Sequence, residues 1–195
     1  MALLDTFKEK VLDLGRSEAR AKARPLLVGD ERFDRSAAGL DRRLHETFVL
    51  FWLLSDRALF LVAGTGGDDF ALRIPFEALE EVSMDFDENA TFLPWYLRIA
   101  ILPEGPGEIA TLDEEADTGN PLAPPPSRPV TAEERRRIAR GEVVPLSGFA
   151  AVPKKFRTAL SRRMELAGRP LTVTGAEAAD RQWRAKRRRR QRPSR

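Results

Sequence analysis

The stretch FVLFWLLSDRALFLVAG (residues 48–64) decides the fold. From Phe48 to Ala63 it is apolar except for Ser55, Asp56 and Arg57 at its centre. A membrane-crossing helix needs roughly 20 apolar residues, and Asp or Arg at its midpoint costs about 2.5–3.5 kcal/mol each on insertion scales. A soluble helix apolar on every side would have to bury the same Asp–Arg pair. Two strands remove the conflict: residues 47–54, a turn at Ser55-Asp56-Arg57, then residues 58–63. Ser and Asp favour such a corner because their side chains bond nearby backbone groups. The segment reads as a hairpin.

The residues that follow alternate with period two, the pattern of half-buried antiparallel strands. In DFALRIPF the apolar set is Phe70, Leu72, Ile74 and Phe76. In LEEVSMDF it is Leu79, Val82, Met84 and Phe86, and in LPWYLRIAI it is Leu93, Trp95, Leu97, Ile99 and Ile101. Gly64–Asp68 and Asp87-Glu88-Asn89 supply turns, and Glu108–Leu112 offers a further short strand. Before the sheet, Leu3, Leu4, Phe7, Val11 and Leu14 follow helical spacing. After it, Val152, Phe156, Ala159, Leu160, Met164 and Ala167 form one side of an amphipathic helix, with Pro153 at its start and Gly168 at its exit. Between lie a Pro-rich link, NPLAPPPSRPV, read as extended polyproline, and TAEERRRIARG, a short helix with Thr131 and Glu134 in capping-box spacing. The organisation expected is an N-terminal helix (1–24), a β-sheet core (25–112), a Pro-rich insertion (113–151), a closing helix (152–169) and a basic, disordered tail (170–195).

Three segments, VGDERF (28–33), LLSDRALFL (53–61) and RIPFEALEEVSMD (73–85), resemble the pleckstrin-homology-like superfamily in its bacterial and GRAM-like branches. The resemblance covers roughly residues 27–112 plus 152–167. It implies an α+β fold: a PH-like antiparallel β-barrel or strongly bent sheet closed by the C-terminal amphipathic helix, with an N-terminal helix besides. It also implies a module that binds lipids or proteins rather than a catalyst.

Net charge is +3, but unevenly spread: residues 1–152 carry 18 Lys/Arg against 27 Asp/Glu, and residues 153–195 carry 15 against 3. An acidic body with a basic end suits a module that meets a polyanion from one side. Zero cysteines exclude a disulfide framework, a thiolate nucleophile and Cys-based metal sites. The start MALLDTFKEK lacks the basic-then-apolar pattern of a secretory signal, so the expected location is cytoplasmic, peripheral at the inner face of the membrane where the tail engages it.

No catalytic, cofactor or metal residue stands out. His45 is the only histidine, and His45-Glu46 is not part of HExxH because position 49 is valine. Gly64-Thr65-Gly66-Gly67 lacks the lysine of a phosphate-binding loop. Asp85–Asn89 begins like a calcium loop but has Ala90 where glycine is needed and Tyr96 where a bidentate Glu is needed.

Binding is better supported. Residues 181–195 hold nine Lys/Arg and no acid: Arg181, Arg184, Lys186, Arg187, Arg188, Arg189, Arg190, Arg192 and Arg195. Such a run gains about 1 kcal/mol per basic residue near an anionic leaflet, or counterion release on nucleic acid. Thr174 and Glu177 have capping-box spacing, which would start a basic helix through Trp183. The closing helix adds a second basic patch at Lys154, Lys155, Arg157, Arg162 and Arg163. Phe48–Leu54, apolar on both sides, must be covered twice, within its own chain or in a homo-oligomer. The function expected is a non-enzymatic PH-like adaptor on an anionic membrane surface or a protein partner. The alternative is a nucleic-acid- or ribosome-associated protein acting through the tail.

Overall fold

The computed structural model describes residues 15–43, 46–64, 70–90, 93–116, 118–120 and 123–190, with backbone alone at 41–43, 46–48, 64 and 186–190. The apolar positions 3–14 of the expected N-terminal helix, His45, and the hairpin tip 65–69 lie outside the described residues.

The opening hairpin forms as read. Strand β2 (Glu46–Leu54) pairs antiparallel with β3 (Ala58–Gly64), Leu54 opposite Leu59. Ser55 makes the corner: its Oγ accepts from the amides of Arg57 (3.1 Å) and Ala58 (2.9 Å), and its own amide donates to the Ala58 carbonyl (3.0 Å). β1 (Arg35–Arg43) and β4 (Phe70–Pro75) flank this pair. β5 (Leu79–Phe86) and β6 (Trp95–Ile101) form a second antiparallel pair. Leu79 and Val82 are three residues apart, which strict alternation cannot place on one face. A register shift between Leu79 and Glu81 absorbs the extra residue, and both side chains are buried.

The expected short strand at 108–112 forms, and past it the chain builds sheet where an insertion and a tail were expected. β7 (Ala110–Leu112) pairs with β4, and β8 (Ser127–Pro129), cut from the Pro-rich link, pairs with β7 at the edge, where a proline is tolerated. Helix α2 (Ala132–Ala139) starts on the expected Thr131/Glu134 capping box. β9 (Ser147–Ala151) then inserts between β1 and β6. β10 (Leu171–Thr174) pairs parallel with β5, and α4 (Ala176–Arg190) follows after Gly175, so a strand and a helix stand where a disordered tail was expected.

The sheet order is β10-β5-β6-β9-β1-β2-β3-β4-β7-β8. This corrects the expected PH-like barrel: the ten strands among the described residues form an open, mixed sheet whose edges, β10 and β8, do not meet. The physical reason lies in the segments read as insertion and tail: β9 widens the sheet at its middle, β8 lengthens the end begun by the expected short strand β7, and β10 extends the other end.

The inner face carries one continuous core. Leu50, Trp52 and Leu54 of β2, Leu59 and Leu61 of β3, and Leu97 and Ile99 of β6 pack with Phe156, Leu160 and Met164 of α3 (Lys154–Leu166), each of the three helix residues 0% exposed. Pro153 is the N-cap of α3. Its exit is a Schellman turn: Gly168, at φ 64°, donates to Glu165 and Arg169 donates to Met164. Gly39 of β1 makes the middle of the sheet passable, since a Cβ there would stand 2.1 Å from the Phe149 carbonyl oxygen and 2.8 Å from the Trp52 ring.

The outer face divides in two. Over β1–β4 and β7, Phe51, Leu53, Phe60 and Val62 are covered by Ala19 and Ala23 of helix α1 (15–23) and by Leu26 in the 3-10 turn after it. β2 is therefore buried on both sides by its own chain from Leu50 to Leu54. The apolar surplus that suggested an oligomer through Phe48–Leu54 is taken up at these residues intramolecularly. Over β5, β6 and β9 the outer face carries Asp85, Tyr96, Arg98 and Phe149, all exposed.

Candidate functional site

The basic segments meet at the junction of α3 and α4. Asp180, in the second turn of α4, accepts from Lys154 Nζ (2.5 Å) and from Arg157 Nη2 (2.8 Å) of α3. The Lys154 contact first, and the Arg157 contact next, hold the Asp180 carboxyl below its usual range. Arg157 is further fixed by stacking, its guanidinium carbon 4.6 Å from the centre of the Trp95 ring on the inner face. Ala178 and Ala179 are buried, and Gln182 donates to the Glu88 carbonyl (3.4 Å). α4 is thus pinned through its first two turns. Around Gln182 the described side chains are open to solvent: Arg181 and Arg184 are exposed, and Trp183 is 58% exposed. The helical backbone continues through Lys186, Arg187, Arg188, Arg189 and Arg190. Arg192 and Arg195 lie outside the described residues.

The start of α4 departs from the sequence reading. Thr174 is the last residue of β10, and its hydroxyl donates to Asp85 rather than capping the helix toward Glu177. The second basic patch is divided in its roles. Lys154 and Arg157 are engaged by Asp180, and Arg163, with its side chain 15% exposed, binds Asp34 (2.7 Å). Lys155 and Arg162 face solvent. Sequence reading missed Asp180 as the anchor, although it is the last acidic residue of the chain. It also missed the pairing of Tyr96 with Phe149 across β6 and β9, ring centres 5.2 Å apart.

A cleft of about 760 Å³ opens between the β2–β3 turn, the β7–β8 pair and the end of α3. Four arginines line it, and each is paired with a carboxylate: Arg57 with Asp30 (2.7 Å), Arg73 with Glu31 (3.0 Å), Arg128 with Glu134 (2.7 Å) and Arg163 with Asp34 (2.7 Å). These cations tie loops, strands and helices to one another, and an incoming anion would compete with a carboxylate at every one. The Asp85–Asn89 segment is a turn: Asp87 Oδ1 accepts from the Asn89 amide (2.9 Å), and Asp85 accepts from Thr174. Among the described residues no group of three or more His, Cys, Asp or Glu side chains could hold a metal ion. No described helix is long and apolar enough to cross a membrane.

No protein-family model and no curated protein matches the chain. Among solved structures, the chain is similar to the hSac2 domain from human phosphoinositide phosphatase Sac2, with 17% identity over 85% of this chain and 88% of that one and a TM-score of 0.40. A superposition that loose supports no inference about activity.

Proposed function

We propose that the protein is a binding module rather than a catalyst, and that it meets an anionic membrane surface through the Arg-rich end of α4. The observation that carries this reading is the change of character at Asp180. Up to that residue α4 is tied to α3 by ion pairs; past it the chain holds nine Lys/Arg and no acid through residue 195. An isolated basic tail would be a loose counterion, whereas a pinned helix presents its charges at a fixed place on the body. Exposed Trp183 between Arg181 and Arg184 suits a headgroup layer, where an amphipathic ring and cations both gain. Lys155 and Arg162, exposed on α3, carry the same sign.

The test is co-sedimentation with vesicles of neutral lipid, and of neutral lipid mixed with phosphatidylserine, beside duplex DNA and RNA. The chain is compared with and without residues 181–195 across a salt series. The expected result is binding to phosphatidylserine vesicles that disappears with the deletion and weakens as salt rises. Absence of vesicle binding at low salt refutes the reading, and binding to nucleic acid alone replaces it with a nucleic-acid-associated role.

A further inference from the structure

The bare half of the outer face carries an aromatic pair in a setting that selects its partner. Tyr96 and Phe149 sit directly opposite each other on β6 and β9, 37% and 54% exposed, with the Tyr96 hydroxyl donating to Ser147 Oγ (3.0 Å). On one side the row continues to Leu40 of β1, and on the other to Asp85 of β5. Exposed Glu81, Asp87 and Glu88 lie on the same strand and the turn after it, and Arg98 is the exposed cation on this face of β6. Two aromatic rings with a carboxylate beside them suit a guanidinium, which stacks on the rings and pairs with the acid. A phosphate strand would meet Asp85 and Glu81 instead.

We propose that this face binds the Arg-rich segment of a second copy, beginning at Arg181. The chain supplies both halves of the contact. The body through residue 152 carries a surplus of nine acids, and the end carries the matching cations. Within one copy, Arg181, Trp183 and Arg184 are exposed on a helix pinned by Asp180, so these side chains are accessible to a neighbouring copy. The contact is head to tail: the face of one protomer takes the end of another.

The proposal stands apart from membrane binding and is tested separately, by sedimentation velocity of the full chain at low and high salt. Self-association is expected at low salt, lost on deleting residues 181–195. Phe149→Ala, an exposed substitution whose folding is checked by thermal melt, is expected to weaken it at least about tenfold. Asp85→Lys is expected to weaken it as well. The decisive arm mixes the tail-deleted chain with the Phe149→Ala chain. One keeps the face and the other the tail, so they are expected to form a mixed complex although the first does not self-associate and the second does so only weakly. A monomer at low salt, an oligomer that survives the tail deletion, or failure of the mixed pair to form overturns the proposal. So does Phe149→Ala abolishing binding to single-stranded RNA while self-association is unchanged, which would make the rings a base-stacking platform. Vesicle binding by the Phe149→Ala chain distinguishes a failure here from a failure of the membrane reading.

Discussion

Replacing Glu31 with alanine should destabilise the protein more than any surface substitution, because the carboxylate is the counter-charge of a buried arginine. Glu31 is 0% exposed at its side chain and Arg73 is 11% exposed, with Arg73 Nε 3.0 Å from Glu31 Oε2. The same carboxylate accepts from the Ser55 hydroxyl and from the Val28 amide (3.1 Å), so it ties the loop before β1 to the β2–β3 corner and to β4. Removing one partner of a buried pair costs about 3–5 kcal/mol, since the remaining charge has no compensation. With a urea slope of about 2 kcal/mol/M, the unfolding midpoint should fall by about 1.5–2.5 M. At about 2–4 °C per kcal/mol for a chain of this size, the melting temperature should fall by about 6–20 °C. The double variant Glu31→Ala/Arg73→Leu separates charge from packing. Removing both partners leaves no orphan cation, and at least about half of the loss should return, the remainder being the unmade bonds to Ser55 and Val28 at about 1 kcal/mol each. A loss below about 1 kcal/mol in the single variant, or a double variant less stable than the single one, would refute the reasoning.

Two further expectations concern the region after β6. Arg135 donates to four carbonyls of one loop, from Nε to Leu102 (2.9 Å), Nη1 to Gly105 (3.0 Å) and Gly107 (2.9 Å), and Nη2 to Pro106 (3.2 Å). Lysine cannot reproduce that fork, so Arg135→Lys should cost about 1–3 kcal/mol and speed amide hydrogen exchange at residues 104–108; unchanged exchange would show that the loop holds itself. Glu134 is lowered from its ordinary 4.5 to about 2, first by its hydrogen bonds from Arg128 and then by the Thr131 amide. A depressed carboxyl stabilises the fold above pH 4.5 and loses that contribution as pH falls toward 2. The stability difference between the native chain and Glu134→Gln should therefore be constant at neutral pH and shrink across that window. Both side chains are about a third exposed, so the difference should stay within about 1 kcal/mol. A difference that grows on acidification would contradict the assignment.

Strong local chemistry was readable without coordinates. The apolar run around Ser55-Asp56-Arg57 could bury itself only as two strands, the alternation in DFALRIPF and LPWYLRIAI set which side chains face inward, and the Phe156/Leu160/Met164 stripe marked the helix that fills the core. Thr131 and Glu134 announced the start of α2. Each of these depends on neighbours within a few residues, and short-range sterics and hydrogen bonding are the same in any fold. What failed was everything decided by distant pairing. SGFAA is too short and too small in its side chains to declare itself a strand; it becomes one because β1 and β6 both offer it unpaired backbone, and Gly39 lets it approach. LTVT becomes β10 because β5 has a free edge. With those strands added the sheet reaches ten strands among the described residues and stays open, which no local pattern could announce.

The candidate site divides along the same line. The sequence by itself determined that the end of the chain is basic and free of acid after Asp180, because charge is a property of composition. Only the tertiary structure decided which cations of α3 and α4 are spent on partners and which face outward. Asp180 takes Lys154 and Arg157, Asp34 takes Arg163, and the aromatic rings of Tyr96 and Phe149, 53 positions apart in the chain, come together on one exposed face. An ion pair or a ring contact is made between atoms a few ångströms apart whatever their separation along the chain, and that proximity exists only once the strands have paired.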